Sequence, residues 1–141
     1  QTDVAREFNE GKTAMMQNGP WVLPMLKEAG TDYGIVSLSE NGSPAAVLGG
    51  ENITIIKGKN AEGSLVFLNY CMENEELLKF CKSASILPAK ISAAKEMAAE
   101  DEDMKVFEEQ MNYAVSRTSV PQWETIAQKL TDRMYSLVQE N

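Results

Sequence analysis

The chain changes character near Gly58, and this change limits the folds that are open to it. Before Gly58 the apolar runs are short and end close to glycine or proline, a pattern typical of short strands joined by turns. After Gly58 the apolar residues recur every three or four positions, which indicates helices. We therefore predict a mixed, helix-rich α/β chain in which a few short strands pack with about five to six helices.

The predicted strands are short and interrupted. They cover residues 13–18 (TAMMQN), 33–38 (YGIVSL) and the two ends of 45–58 (AAVLGGENITIIKG). Residues 52–56 within the last segment do not alternate, which favours a strand covered on both faces. The segment 39–44 is rich in turn-forming residues, so we predict a surface loop there.

Two helical segments precede Gly58. Residues 3–10 form the first, which Gly11 ends, and Pro20 opens a second that Gly30 ends. Pro24 interrupts the second segment early, so only its last part is expected to be regular.

The helices beyond Gly58 carry most of the chain. They are predicted at residues 61–73, 75–84, 91–100, 101–117 and 122–139, with an extended segment at 116–121 before Pro121. Asn60 and Asn74 are the predicted N-caps of the first two. One face of the last helix carries the residues Trp123, Ile126, Leu130, Met134 and Leu137.

Charge and composition exclude several partners and chemistries. The formal net charge is −8, and an acidic chain repels phosphate backbones, so nucleic acid is not an expected partner. The absence of histidine removes the commonest general base and metal ligand. Cys71 and Cys81 stand about 15 Å apart on a continuous helix, too far for a disulfide, unless the helix breaks near Met72–Asn74. We expect two buried free thiols.

The apolar runs and the first residues of the chain do not decide the cellular compartment. No apolar run approaches the ~20 residues that cross a bilayer. The first residues, QTDVAREFNEG, lack the basic start and apolar middle of a signal peptide. A cytosolic chain, a mature secreted chain and a piece of a longer chain all fit.

The sequence offers little for catalysis. It has no GxSxG, P-loop, HExxH or CxxC motif, and its carboxylates form no local pattern that separates a catalytic pair from surface acids. We predict a protein that is not an enzyme and that has neither a cofactor nor a metal site.

The remaining polar and aromatic groups suit a neutral polar ligand such as a sugar. An aromatic ring covers the apolar face of a sugar, while amides and charged side chains hold its hydroxyls. The candidates at predicted junctions between loops and helices or strands are Trp21, Gly49, Gly50, Glu51, Asn52, Arg117 and Trp123. Each has a structural alternative: burial for Trp123, an ion pair for Arg117, a turn or bulge for the glycines and a local hydrogen bond for Asn52.

The order of several motifs resembles the C-terminal part of bacterial extracellular solute-binding proteins of the sugar-binding family. The pattern F-x-x-G-K-x-A-M-x-x-x-G-P-W occupies residues 8–21, and a segment with a Gly-Gly pair follows at 33–58. A helix similar to A-x-x-F-L-x-Y covers Ser64–Tyr70, and LPA stands at 87–89. RTSVPQW at 117–123 then precedes the final helix. The resemblance covers essentially the whole chain.

The resemblance implies a fold and a function. Family members are two-lobed clamps with a type II periplasmic-binding-protein fold, which close on a carbohydrate and deliver it to the permease of an ABC importer. It implies that residues of about 1–46 and 90–141 belong to the second lobe and about 50–86 to the first, with crossings near 47–50 and 86–89. It also implies an extracellular location, as a cell-surface lipoprotein held by a lipid anchor or as a periplasmic protein.

The resemblance also implies ligand-binding residues. In the family, the tryptophan of the Gly-Pro-Trp motif stacks on a sugar ring, a role that falls to Trp21. The Gly-Gly segment implies ligand contacts by Gly49 and Gly50, with Glu51 beside them. The polar residue before the closing proline implies a contact by Arg117, and Trp123 follows from the variable aromatics of the same region.

Two other hypotheses remain open at this stage. One is a family member for a non-sugar solute such as a polyol, a glycerophosphodiester or a peptide-like molecule. The other is an unrelated helical interaction domain with Trp21 and Trp123 in its core. An isolated chain of this length is expected to expose apolar surface, through which a dimer can form, and to bind sugar poorly.

Overall fold

A computed structural model describes residues 2–40, 43–116 and 119–139 of the chain. These residues contain seven α-helices and one turn of 3-10 helix at Pro20–Val22. The α-helices are α1 Thr2–Asn9, α2 Leu23–Glu28, α3 Ala61–Cys71, α4 Asn74–Ala84, α5 Ile91–Glu100, α6 Glu102–Met111 and α7 Trp123–Gln139. The prediction of a helix-rich α/β chain is confirmed.

The strands are two residues long and form two separate pairs. Ser39–Glu40 (β1) pairs antiparallel with Ser43–Pro44 (β2), and Ala46–Val47 (β3) pairs parallel with Ala114–Val115 (β4). The prediction of a surface loop at 39–44 is therefore wrong in part, because Ser39–Glu40 and Ser43–Pro44 are paired strands.

Three predicted strands are not paired within the described part of the chain. Residues 13–18, 33–38 and 52–56 have irregular backbone. A strand needs a neighbour for its N–H and C=O groups along its length, and in 33–38 only the Leu38 carbonyl oxygen has a backbone partner, the Ala45 N–H at 2.9 Å. The segment around Tyr33 nevertheless keeps a strand-like alternation, since Tyr33 and Ile35 pack against the core while Gly34 and Val36 are exposed.

The helix boundaries bear out some capping predictions and correct others. Gly11 and Gly30 follow α1 and α2 with φ of +69° and +66°, the left-handed conformation that glycine tolerates. Asn60 precedes α3 as predicted, but its side chain makes no capping hydrogen bond. Asn74 is the first residue of α4 rather than its cap, and its amide donates to Glu96 on α5 at 2.9 Å.

The predicted helix at 101–117 is too long at its C-terminal end. α6 stops at Met111, and the backbone turns at Asn112 before β4 begins. At the other end, the carboxylate of Asp101 caps α6 by accepting the N–H groups of Asp103 and Met104 at 2.9 and 3.2 Å.

The helix does break between the two cysteines, at Met72–Glu73, yet both thiols are free. Cys81 is buried, and burial raises the pKa of its thiol. Cys71 is only half-buried, so the expectation of two buried thiols is wrong for it. The reason is that α3 buries none of its side chains.

The core lies between α2, α4, α5 and α6. Its buried members are Leu23, Leu26, Leu77, Leu78, Cys81, Ala93, Met97 and Met104. The alanines of α5 leave room for close approach of its neighbours, and a single residue, Asp101, separates α5 from α6. The resemblance assigns α4 to the first lobe and α2 to the second, yet the two helices share this core.

Two helices stand largely outside the core. α3 has no buried side chain, and Leu65, Val66 and Phe67 on it are 53%, 70% and 64% exposed. The apolar face predicted for α7 exists, but no side chain on it is buried within 123–139. Both faces are therefore largely exposed in the described part of the chain.

A polar cluster joins α2, the segment after it and the start of α6. The Asp103 carboxylate accepts hydrogen bonds from the Tyr33 hydroxyl at 2.8 Å and from the Lys27 ammonium at 2.9 Å. Burial acts to raise the pKa of the Asp103 carboxyl, but these two hydrogen bonds outweigh it and hold that pKa below its ordinary value. The cluster thus fastens the Tyr33 segment to the core.

Replacing Asp103 should destabilise the fold in a pH-dependent way. We expect Asp103→Asn to lower the free energy of unfolding by about 1–2 kcal/mol at neutral pH, measured by urea denaturation. Because the folded-state pKa of Asp103 is depressed, its stabilisation is complete above the ordinary carboxyl value of 3.8 and is lost as pH falls through the folded value. The difference from wild type should therefore be constant down to about pH 5 and shrink below about pH 4.

Glu102→Gln is the matched control, since the Glu102 side chain is 92% exposed and its ion pair with Lys105 is loose, at 3.8 Å. We expect it to change the free energy of unfolding by less than about 0.5 kcal/mol. A pH-independent difference for Asp103→Asn, or an equal effect of both variants, would contradict the role of the cluster.

Candidate functional site

The turn at residues 18–21 is fixed by its own residues. The Asn18 side-chain oxygen accepts the Gly19 N–H at 3.0 Å, which sets the peptide plane at the start of the turn. Pro20 is buried and opens the 3-10 turn, where its ring fixes φ. The Leu23 N–H then donates to the Pro20 carbonyl oxygen and connects the turn to α2.

Trp21 projects from this turn and is 49% exposed. Its indole lies beside Gly19, and about half of the residue is exposed to solvent. The neighbouring residues Pro20 and Leu23 are buried instead. Trp21 is thus not a core residue, and its ring offers an accessible apolar surface held at one place.

The Gly49–Gly50–Glu51 segment leaves the end of β3. The Leu48 N–H donates to the Val115 carbonyl oxygen at 2.8 Å, so the hydrogen bonding of β3 and β4 continues to the last residue before the glycines. Because β3 and β4 are parallel, their carboxyl ends meet at one edge. In open α/β sheets this is the edge at which ligands bind.

Neither glycine of this segment is required by the backbone of the chain. Gly49 and Gly50 lack a positive φ, and a Cβ added to either one would meet no heavy atom within 4 Å. A tight turn that only glycine tolerates is therefore not the reason for the pair. The exposed backbone leaves room for another molecule to approach closely.

The remaining candidates are Asn52, Trp123 and Arg117. Glu51 and Asn52 are exposed on the same segment as the glycines. Trp123 is half-buried as the first residue of α7, and Arg117 lies outside the described residues. Hydrogen bonds in the described part of the chain do not connect Trp21 or Trp123 with Gly49–Glu51. Their grouping around one ligand remains a prediction.

Two surface depressions lie elsewhere and contain none of the predicted residues. One, of about 390 Å³, has Leu23, Met97 and Met104 among its lining residues, and the Lys82–Glu100 ion pair stands at its edge. The other, of about 370 Å³, lies between α4 and α5 and includes Lys79, which is already paired with Glu75 and Glu76. The charged groups at both depressions are largely satisfied within the chain.

Sequence reasoning missed β4, which places the Gly49–Glu51 segment at a strand end. The available signal was Asn112, a residue that often ends helices, followed closely by the apolar pair Ala114–Val115. It also missed the contact between Gly19 and Trp21, because no pattern in a sequence reports which side chain covers a glycine.

Similarity to known proteins defines the class. Residues 1–106 match the family described as bacterial extracellular solute-binding protein. The chain belongs to this family, and the hypothesis of an unrelated interaction domain with an accidental resemblance is thereby overturned.

Two individual relatives allow a more specific comparison. The chain is 30% identical over 94 residues to the maltooligosaccharide ABC transporter solute-binding lipoproteins of two strains of Streptococcus pneumoniae. The match covers 64% of this chain but only 22% of each relative, so the chain spans about a fifth of their length.

Two further questions about the described residues concern helices that could span a membrane and clusters that could bind a metal ion. None of the helices in the described part has both the length and the apolar character needed to cross a bilayer. Among residues 2–40, 43–116 and 119–139, acids and cysteines form no group of three or more that could hold a metal ion.

The exposure of Trp21 predicts that its removal leaves folding largely intact. We expect Trp21→Ala to lower the free energy of unfolding by at most about 1 kcal/mol, because about half of the side chain is already in water. Leu26→Ala, at a site that is 2% exposed, should cost about 2–5 kcal/mol in the same denaturation experiment. An equal loss in the free energy of unfolding for the two variants would show that Trp21 is a core residue.

Proposed function

We propose that this chain is the C-terminal part of the substrate-binding component of an ABC importer, and that it binds a carbohydrate between two lobes. The observation that carries the proposal is the half-exposed indole of Trp21, held on a proline-fixed turn in a chain of the solute-binding family. The curated relatives, which are named for maltooligosaccharides, favour a carbohydrate of that class.

The binding chemistry follows from the groups that are available. The open surface of the Trp21 indole stacks on the CH face of a sugar ring, where apolar contact and the quadrupole of the ring both favour association. Backbone groups of Gly49 and Gly50, with Glu51 beside them, take the hydroxyls, and Arg117 is proposed to contact the ligand as well. Trp123 is the second aromatic candidate. No proton transfer or covalent step is needed, in keeping with a family of binding proteins.

The proposed division into lobes accounts for the exposed apolar surfaces of the chain. Residues of about 1–46 and 90–141 form second-lobe elements and about 50–86 form first-lobe elements, with crossings near 47–50 and 86–89. The exposed faces of α3 and of residues 52–56 then receive other parts of a longer chain. Because α4 shares its core with α2, α4 lies along the contact between the lobes.

The location and partners follow from the same proposal. The protein acts outside the cell membrane, as a cell-surface lipoprotein or in the periplasm, and delivers its ligand to the permease subunits of the importer. A lipid anchor or the permease provides its only link to the membrane.

Removal of the Trp21 ring should weaken sugar binding. In the protein as encoded by its gene, we expect Trp21→Ala to raise the Kd for maltotriose at least tenfold, measured by isothermal titration calorimetry. Tyr135→Ala is the control, because Tyr135 is an exposed aromatic (67%) on α7 that is not among the proposed ligand-binding residues. An unchanged Kd for Trp21→Ala would refute the stacking role.

The 141-residue chain alone should bind sugar poorly. It contains one side of the proposed cleft and lacks most of the opposing surface, so the ligand would remain in contact with water. We expect no saturable binding of maltotriose at micromolar concentrations. Circular dichroism of the same sample checks that its helices have formed. Micromolar affinity in that titration would show that the site is complete within this chain.

A further inference from the structure

Gly19 stands in a backbone conformation that does not require glycine. Its φ is −101° and its ψ is 174°, in the extended region that any residue adopts. The usual conformational reason for a glycine is therefore absent at this position. Some other constraint must account for the missing side chain.

That constraint is the indole of Trp21. A Cβ built on Gly19 would lie 2.1 Å from both Cη2 and Cζ3 of the Trp21 ring and 2.6 Å from Cε3. Real Cβ atoms do not approach a carbon atom this closely, so a side chain at position 19 and the observed ring position exclude each other. The six-membered part of the indole occupies the space that a side chain would need.

The backbone around Gly19 cannot easily move to relieve such a clash. The Gly19 N–H is held by the Asn18 side chain, and its carbonyl oxygen accepts the Val22 N–H at 3.4 Å. The next residue, Pro20, is buried and has a fixed φ. An added methyl group would therefore displace the half-exposed ring rather than the turn.

We propose that Gly19 is a positioning residue for ligand binding: its missing side chain lets the Trp21 indole rest against the backbone and fixes the ring in the orientation that meets the sugar. This inference rests on the proposed stacking role of Trp21. A ring that is already ordered before binding loses less conformational freedom when the ligand arrives, which favours affinity. The half of Trp21 that stays exposed can then meet a flat apolar face such as that of a pyranose.

The test separates ring orientation from ligand binding and uses the protein as encoded by its gene. With fluorotryptophan incorporated, the Trp21 signal in fluorine NMR is assigned by its loss in Trp21→Phe. We expect Gly19→Ala to shift or broaden that signal without ligand, while the midpoint of urea unfolding stays close to wild type. The maltotriose Kd should rise at least threefold.

Two controls make the outcome specific. Gly34→Ala adds a methyl group at an exposed glycine where a Cβ meets open space and φ is not positive, so it should change neither the Trp21 signal nor the Kd. In a double-mutant cycle, Gly19→Ala should add no further loss of affinity once Trp21 is alanine, because Gly19 acts through the ring.

The possible results distinguish this inference from the proposal on which it rests. An unshifted Trp21 signal in Gly19→Ala overturns the positioning role, as does an additive loss in the double variant. A loss of affinity in Trp21→Ala without any loss in Gly19→Ala also overturns it but leaves the stacking role intact. If Trp21→Ala binds normally, the stacking role fails, and a shifted signal then supports only the contact between Gly19 and the ring.

Discussion

The packing of α6 against α2 and α5 is the interaction on which the rest of the described structure depends. Met104 of α6, 2% exposed, lies in one cluster with Leu23 and Leu26 of α2 and Met97 of α5. The 3-10 turn that presents Trp21 leads directly into α2, so the indole is held in place by a core to which it contributes little itself. On the proposed function, this arrangement separates stability from recognition, because the side chains that hold the fold are not those proposed to contact a ligand.

Sequence reasoning recovered the elements that depend on local signals. Helical periodicity, Pro20 and the glycines after α1 and α2 identified every α-helix and most of the ends. It failed where the outcome depends on distant residues. Residues 33–38 have the composition and alternation of a strand, but pairing requires a neighbour that the described residues do not supply.

The candidate site could likewise be predicted only in part. The motif around Gly-Pro-Trp was visible in the sequence, and the half-exposure of Trp21 agrees with a recognition role. The reason for Gly19 was not visible, since it lies in the packing of one side chain on the backbone next to it. The glycines at 49 and 50 illustrate the opposite case. The sequence left open a turn or a ligand contact as their purpose, and the lack of a positive φ at either glycine disfavours a turn that needs glycine.

The parallel pairing of β3 with β4 has a consequence for the order of folding. The two strands are separated in the chain by α3, α4, α5 and α6, so they can meet only when the ends of this long loop have been brought together. Closing such a loop costs entropy before the few strand hydrogen bonds compensate for it, whereas the turn between α5 and α6 forms from neighbours in the sequence. The edge that carries Gly49 and Gly50 is therefore assembled late and opens early, which leaves it among the most easily rearranged parts of the molecule.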